Sequence, residues 1–359
     1  MKIDTKVNNI PSLTWNWLKL NYAELKIDSE YKEKTNISTS RIPDGATYEK
    51  DSEKILMSVP PVETGMGKSV STILYENNIL PCSLIVNDEQ KIEKPFYMHF
   101  DCKDKCTSLS SQIIVAKKNA EITVIMDFTS DSLAEGIQIV QTKLYANKNA
   151  KIHLITVQLL GKNYIHLNDI GALCEENANI KITQIELGSK QSFVGVHSLL
   201  KEYQSSFNSD TAYFCKGNQE FDFNYVVTQT GKKTDSKMNI AGTLKDNAKK
   251  TYRGTIDFKN GCQGASGNEQ EETLLLTPTV VNKSIPVILC DEEDVAGEHG
   301  ATIGKLSNDI LFYMNAHGIS KEAAEKIMCL AKINNVAAAV PDENLKEKIS
   351  QYVEEAFYE

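Results

Sequence analysis

The side chains of this 359-residue sequence that are best suited to chemistry lie close together after position 289. Cys290 precedes the acidic run 291–294, and Glu298 and His299 follow shortly afterwards. Thiolate, imidazole and carboxylate groups are the usual protein ligands of transition metals. His299 is therefore either a metal ligand or a solvated loop residue between two structural units. We interpret the acidic run as a solvated turn and not as a metal cage.

Other cysteines give a weaker signal. Cys102 and Cys106 form a C-x3-C pair with no matching second pair, so two thiols in a strand-rich segment are a simpler interpretation than a metal site. In a long intracellular chain, scattered cysteines are expected to be reduced. The pattern assigns no role to Cys102, Cys106, Cys215 or Cys262.

A glycine-rich segment and the remaining histidines could also have chemical roles. The segment "PVETGMGKS" (61–69) ends in Gly-Lys-Ser, but a phosphate-binding loop needs a glycine where this chain has Val62. We therefore reject a phosphate loop. The histidines at 99, 153, 166, 197 and 317 show no ligand spacing, and we predict structural roles for them.

Composition limits the classes of partner and compartment. The chain has 39 basic and 48 acidic residues, a net charge of −9, and no basic block, which argues against nucleic acid or an anionic membrane as its main partner. No apolar run approaches the roughly 20 residues that span a bilayer. The start of the sequence lacks the apolar region of a signal peptide. We expect a cytoplasmic protein.

The elements that must position these residues are mostly strands. Between about 82 and 290, polar turns ending in Asn-Ala are followed by alternating strands, as in "VAKKNAEITVIM" and "YANKNAKIHLIT". Short strands at a near-constant period suit a solenoid whose coils bury their apolar faces on one another. The pattern favours a mainly β fold, a parallel β-helix, over an antiparallel sandwich. The Asn-Ala pairs begin at residues 119, 149, 177 and 247.

Three regions follow from these patterns: an N-terminal helical or irregular region (1–81), a parallel β-helix core (82–303) and a small C-terminal helical domain (304–359). At the N-terminus, the expected amphipathic pattern consists of Leu13, Trp17, Leu20 and Leu25.

Three C-terminal helices are predicted from their caps. Ser307 and Ser320 are suited to N-cap the first two, Gly318 to end the first, and Pro341–Asp342 to open the third. We expect these helices to pack on one another and on the end of the solenoid. The predicted apolar face of the second helix consists of Ala323, Ile327, Leu330 and Ala331, and that of the third consists of Leu345, Ile349, Tyr352, Val353 and Ala356.

Two stretches, "YRGTIDFKNGCQGASGNEQEETLLL" (252–276) and "EHGATIGKLSNDILFYMNAHGIS" (298–320), resemble the SufB/SufD family, the scaffold subunits of SUF iron–sulphur cluster assembly. The opening "PSLTWNWLKLN" is similar as well. The resemblance implies an N-terminal helical region, a right-handed parallel β-helix and a C-terminal helical domain, the order found above.

The family has two types of subunit, and the sequence is more similar to the D-type. A B-type chain would have a cysteine where a gapless comparison places Val280, and a glutamate where Gly300 stands. The D-type pattern C-S-H-G-A-T matches His299–Thr302, but this chain has Gly297 and Glu298 in place of Cys-Ser. Cys290 is the thiol that could replace the missing one.

The resemblance implies how the site works. His299, with Glu298 or Cys290 nearby, would hold iron or a transient cluster at the interface with another subunit. An ABC-class ATPase would bind the C-terminal helices, where Phe312, Tyr313 and Ile319 are the candidate docking residues. Phe312 and Tyr313 could alternatively be core residues.

The expected function is therefore a non-enzymatic scaffold subunit, with ATP hydrolysis performed by the partner. The partner scaffold is a B-type paralogue or a second copy of this chain, and the participation of a flavin is left open. A stand-alone β-solenoid binding protein is the alternative. A β-helix carbohydrate-active enzyme is disfavoured because no carboxylate pair is evident in the strands.

Overall fold

A computed structural model describes residues 2–12, 19–31 and 35–358 of the chain. In these ranges the chain forms twenty strands and five helices. The strands are β1 (Lys2–Val7), β2 (Ala23–Asp28), β3 (Asn36–Thr39), β4 (Ala46–Glu49), β5 (Cys82–Val86), β6 (Phe96–Asp101), β7 (Cys106–Ala116), β8 (Glu121–Thr129), β9 (Glu135–Ala146), β10 (Lys151–Leu159), β11 (Asn163–Cys174), β12 (Asn179–Glu186), β13 (Gln191–Leu200), β14 (Ser206–Cys215), β15 (Glu220–Gln229), β16 (Asp235–Leu244), β17 (Lys249–Phe258), β18 (Ala265–Leu275), β19 (Val281–Cys290) and β20 (Val295–Gly304). The helices are α1 (Ile55–Ser58), α2 (Lys68–Glu76), α3 (Asn308–Ala316), α4 (Lys321–Ala337) and α5 (Glu343–Ala356).

The strands from β5 to β20 form a parallel β-solenoid of about eight turns, so the predicted fold class is confirmed. Even-numbered strands from β6 to β20 stack in one sheet and odd-numbered strands from β5 to β19 in the other. Each coil contributes one strand to each sheet and pairs in register with the next coil. Ile152, for example, lies between Ile122 and Ile180, and such columns of apolar residues fill the space between the sheets.

The Asn turns between coils have the backbone conformation that the sequence predicted. Asn119, Asn149 and Asn177 have φ values of 56°, 59° and 56°, in the left-handed region that most side chains avoid. Their amides also stack, since Asn149 Nδ2 donates to Asn119 Oδ1 at 2.8 Å. The fourth turn differs, because Asp246 and not Asn247 has the positive φ, 62°.

Substitutions of Asn149 test whether the left-handed backbone conformation limits which residues this turn accepts. Asn149→Ala and Asn149→Gly both lose the amide contact, but only alanine is strained at a φ of 59°. We expect the alanine variant to be less stable than the glycine variant by about 1 kcal/mol, measured by urea denaturation followed by circular dichroism. Equal stabilities would contradict this explanation of the turn.

The N-terminal region covers the outer face of the odd-numbered sheet. The antiparallel pair β1–β2 and helix α2 pack on β9, β11 and β13 through a cluster that includes Leu25, Val70 and Leu167. The prediction of a helical or irregular region is therefore correct only in part. Leu25 lies in a strand because Ala23, Leu25 and Ile27 alternate with exposed residues. Leu13 and Trp17 lie outside the described residues.

The glycines before α2 have a structural explanation. A side chain at Gly65 would overlap the backbone of Gly195 and Val196, so only glycine permits this close approach to β13. The next residue, Met66, donates its backbone N–H to Asp169 Oδ1 at 2.8 Å. The segment that resembles a phosphate loop thus anchors the N-terminal region to the solenoid.

The C-terminal helices have the predicted caps. Ser307, Ser320 and Asp342 accept backbone N–H bonds at the starts of α3, α4 and α5. Gly318, with a φ of 81°, follows α3. The predicted apolar stripe of α5 is buried at Leu345, Ile349, Val353 and Ala356.

Two expectations about these helices are wrong. The buried stripe of α4 consists of Ala324, Cys329, Ile333, Val336 and Ala337, while Ile327 is 46% exposed. Alanines lie on several sides of α4, so the sequence alone does not determine which side of this helix is buried. The helices also cover the outer face of the even-numbered sheet and not the end of the solenoid. They pack there because the outer side chains of β10 and β12, such as Ile155 and Ile185, are apolar.

Candidate functional site

The last coil of the solenoid is open. β19 and β20 are the terminal strands of the two sheets, each paired on one side only within the described residues. Most residues of β20 are exposed. Unpaired backbone N–H and C=O groups along such edges are competent to bind a further strand. We call this region, β19 and β20 with the coil beneath them, the open end.

His299 lies in the middle of β20 and not in a loop. Its register partner on β18 is Glu269, which is buried in the solenoid. Because equivalent residues of stacked coils point to the same side of a sheet, His299 belongs to the inward-facing column. It is nevertheless exposed, since no further coil lies above it in the described chain.

Glu298 faces the other way. Its carboxylate accepts a hydrogen bond from Asn268 Nδ2 at 3.1 Å on the outer surface. Orientation of His299 by its neighbour Glu298 would need an irregular loop, and β20 is a regular strand. The structure therefore places these two predicted residues on opposite faces of the sheet.

Cys290 ends β19 on the inward side, in register with the buried Phe258. Its thiol is exposed and contacts the carbonyl oxygen of Glu292 at 3.0 Å. Cys290 and Gly297 line the same cavity of about 680 Å³. The Cys290 thiol thus shares a cavity with Gly297, the position at which the D-type pattern has a cysteine. Gly297 lies two residues before His299 on β20.

A buried group of charges lies under the open end, and it was not predicted from the sequence. The Lys250 ammonium pairs with the Glu271 carboxylate, with both side chains essentially inaccessible to solvent. Thr273 Oγ1 donates to the same carboxylate at 3.1 Å, and Ser284 Oγ donates to its second oxygen. The signal that could have found it is an alternation of glutamates: Glu269 and Glu271 point inward, while Glu272 points outward.

Burial controls the ionisation of this group. Burial, with the nearby charge of Glu271, raises the pKa of Glu269 to about 8. Burial also lowers the pKa of Lys250, against the opposing effect of Glu271. Space for the Glu269 carboxyl group exists because residue 254 is glycine. A Cβ at Gly254 would overlap both carboxyl oxygens.

Protein ligands at the open end are few. In the part of the chain that the structure describes, no three His, Cys, Asp or Glu side chains are grouped as a metal site. A metal ion bound at His299 would therefore need ligands from a second molecule or from solvent. That arrangement suits an interface site more than a closed, structural metal site.

Comparison with protein families identifies the chain. Residues 100–332 match the SufBD core domain of the SUF system for FeS cluster assembly, which is more than half of the sequence. The chain belongs to the SufB/SufD family. The match covers most of the solenoid, the open end, α3 and most of α4.

Curated relatives of the SufB/SufD family are similar at low identity. An iron–sulfur cluster assembly SufBD family protein of Staphylococcus saprophyticus is 23% identical over 70% of this chain and 55% of its own length. SufB of Bacillus subtilis is 24% identical, also over 70% of this chain and 55% of its own length. SufD of the same organism is 25% identical over 41% of this chain and 34% of its own length. The chain thus spans about half the length of the first two relatives and about a third of the SufD relative.

The candidate docking residues lie on α3, which buries none of its side chains in the described structure. Phe312 and Tyr313 are 76% and 65% exposed, so they are not core residues. Ile319, just after the helix, is half-buried. Among the helices described, none is long and apolar enough to cross a membrane.

The other histidines have local contacts within the protein. His99 Nδ1 lies 2.7 Å from Asp127, and His166 is buried against Phe128, where burial lowers its pKa to about 3. The remaining contacts join His153 to Thr183, His197 to Thr228 and His317 to the carbonyl of Tyr313. Cys102 and Cys106 are buried, and both contact the Thr35 hydroxyl.

The Lys250–Glu271 pair should be essential to the stability of the open end. Lys250→Met leaves the Glu271 carboxylate buried without its counter-charge, and we expect a loss of about 3–5 kcal/mol. The neighbouring Lys249→Met removes a pair with Glu220 in which the lysine is 58% exposed, and should cost less than about 1 kcal/mol. Urea denaturation of both variants measures this difference, and equal losses would contradict it.

Proposed function

We propose that this chain is a D-type scaffold subunit of SUF iron–sulphur cluster assembly, acting without enzymatic activity of its own in the cytoplasm. Membership of the SufB/SufD family supports the assembly role. The D-type assignment is supported by the residues His299–Thr302 and by Gly300 in particular. The observation that carries the proposal is the position of His299, exposed on the inward column of an unpaired terminal coil.

The open end is the proposed surface for a second scaffold subunit. Two adjacent edge strands, β19 and β20, offer backbone hydrogen-bonding groups to a partner of the same fold. A B-type paralogue is the proposed partner, because this chain has Val280 and Gly300 where a B-type chain would supply cysteine and glutamate. Two copies of this chain would have neither that cysteine nor that glutamate.

Iron, or a nascent cluster, is the cargo of the proposed interface. Imidazole is a suitable ligand for iron, and thiolate for iron and for clusters. His299 supplies the imidazole and Cys290 the thiol from the inward side of the last coil. The partner and inorganic sulphide would complete the coordination.

His299→Ala tests the cargo role. We expect this variant to lose most cluster assembly, measured as recovery of iron–sulphur enzyme activity in a strain that lacks the native gene. Lys237→Ala changes an exposed residue on the outer side of β16, outside the open end, and should support normal assembly. Full assembly by His299→Ala, at equal protein level, would refute the role of this residue.

α3 is the proposed docking site of an ABC-class ATPase. Solvent-exposed aromatic residues on an otherwise unburied helix are typical of protein interfaces. Phe312 and Tyr313 on α3, with Ile319 shortly after it, form this surface on an element separate from β19 and β20. ATP hydrolysis by the bound ATPase would supply the energy for movement of the scaffold subunits.

Removal of the aromatic pair tests the docking site. Phe312→Ser with Tyr313→Ser should weaken capture of the ATPase by at least about tenfold, since interface aromatics commonly contribute 2 kcal/mol or more. Tyr75→Ser is the control, because Tyr75 is 83% exposed on α2, on the other sheet. Undiminished capture by the double variant, measured by quantitative pull-down, would exclude this surface.

A further inference from the structure

Two buried cysteines share one partner at the turn between β6 and β7. Cys102 directly follows β6, Cys106 begins β7, and the two residues are 1% and 0% exposed. The Thr35 hydroxyl oxygen lies 3.7 Å from Cys102 Sγ and 3.1 Å from Cys106 Sγ. Both sulphur atoms therefore lie around one oxygen, in the first coil and far from the open end.

Other buried thiols of the solenoid bond differently. Cys174 Sγ donates to a backbone carbonyl oxygen at 3.6 Å, and Cys215 Sγ donates to another at 3.5 Å. Within the described residues, no carbonyl oxygen accepts from Cys102 or Cys106, which have hydroxyl groups as their polar partners. The sulphur atoms of this pair are thus available to a ligand that prefers sulphur.

Tyr164 closes one side of the pair. Cys106, Gly136 and Tyr164 are register neighbours on β7, β9 and β11. A Cβ at Gly136 would overlap the Tyr164 ring, so glycine allows the phenol to extend across β9. The Tyr164 hydroxyl donates to the carbonyl oxygen of Lys103 and also bonds the Cys106 thiol. The ring shields the two thiols from water on that side.

Two thiols with no further ligand suit a soft ion of low coordination number. Thiolate sulphur favours soft ions such as Cu⁺, whereas structural zinc takes about four ligands. No third His, Cys, Asp or Glu side chain joins the pair in the described part of the chain. Metal–thiolate bonds of about 2.3 Å place two sulphurs on opposite sides of an ion roughly 4.6 Å apart. Two thiols that contact one hydroxyl reach this separation by side-chain rotation.

We propose that Cys102 and Cys106 hold one Cu⁺ ion between their sulphur atoms, at a metal site separate from the open end. The inference does not depend on the proposed function. One Cu⁺ ion with two thiolates carries a single negative charge, which Lys105, in the turn beside Cys106, offsets. Residues 103–105 are exposed, and this turn is the route by which the ion enters.

Binding at this site must release protons. Burial raises the pKa of the Cys102 thiol to about 12, so the empty site is protonated at neutral pH. A metal-bound thiol is deprotonated, and the affinity for Cu⁺ should therefore rise with pH.

Cu⁺ binding by the full chain tests the proposal. Anaerobic titration against bathocuproine disulphonate, a coloured chelator that competes for Cu⁺, should show one tight site per chain. Cys102→Ala and Cys106→Ala each remove one of the two ligands and should weaken binding by at least about a hundredfold, since even outer-shell partners of a metal commonly contribute ten- to hundredfold. Cys215→Ala, which removes a lone buried thiol, and Cys290→Ala, at the open end, are the controls and should bind as the wild type does.

X-ray absorption spectroscopy of the wild-type chain with one equivalent of Cu⁺ needs no substitution. We expect two sulphur neighbours and no nitrogen or oxygen neighbour around copper. Circular dichroism melting curves establish that each variant is folded. Failure of the wild-type chain to compete with the chelator, wild-type affinity in folded Cys102→Ala, or loss of binding in Cys290→Ala would overturn the proposal.

Discussion

The structure depends on backbone pairing in register between successive coils. Each inner strand donates and accepts along both edges, so the solenoid is stabilised mainly by contacts between nearest neighbours. The last coil cannot satisfy this requirement by itself. Because the repeat ends at β20, the last coil has unpaired strand edges, and its inward-facing side chains are exposed. The chain belongs to a family of iron–sulphur cluster assembly proteins, and a site at a strand edge is suited to joining two subunits.

The inward-facing residues differ in polarity between the first half of the solenoid and the open end. Ile122, Ile152 and Ile180 form an apolar column in the first half. Near the open end, Lys250, Glu269 and Glu271 replace such residues. Buried charges of this kind contribute little net stability in general, and of these three residues only Glu269 is the register partner of His299.

Much of the architecture was predictable from local patterns. The Asn turns and the alternation of strand residues indicated the solenoid, and Ser307, Ser320 and Asp342 marked the helix starts correctly. These features are encoded within a few residues. The surface on which the helices pack was not predictable, because it depends on which outer sheet face remains apolar after the coils have stacked.

The candidate site was predictable only in part. His299 and Cys290 could be singled out by residue type, but the sequence left open whether His299 was a solvated loop residue or a ligand, and it lies in a strand. The buried group of Lys250, Glu269 and Glu271 was missed because these residues meet only when β17 and β18 face each other in the folded solenoid. A pattern within one strand cannot reveal a side chain that another strand brings next to it.

The central claim is that the open end binds a second scaffold subunit and holds iron there. The most direct test is an anaerobic pull-down of the tagged chain from its own cells, with mass spectrometry and assays for iron and sulphide. We expect recovery of an ABC-class ATPase and a cysteine-bearing paralogue, together with iron whose amount is lower in His299→Ala. Recovery of the chain alone, without either partner and without iron, would contradict it.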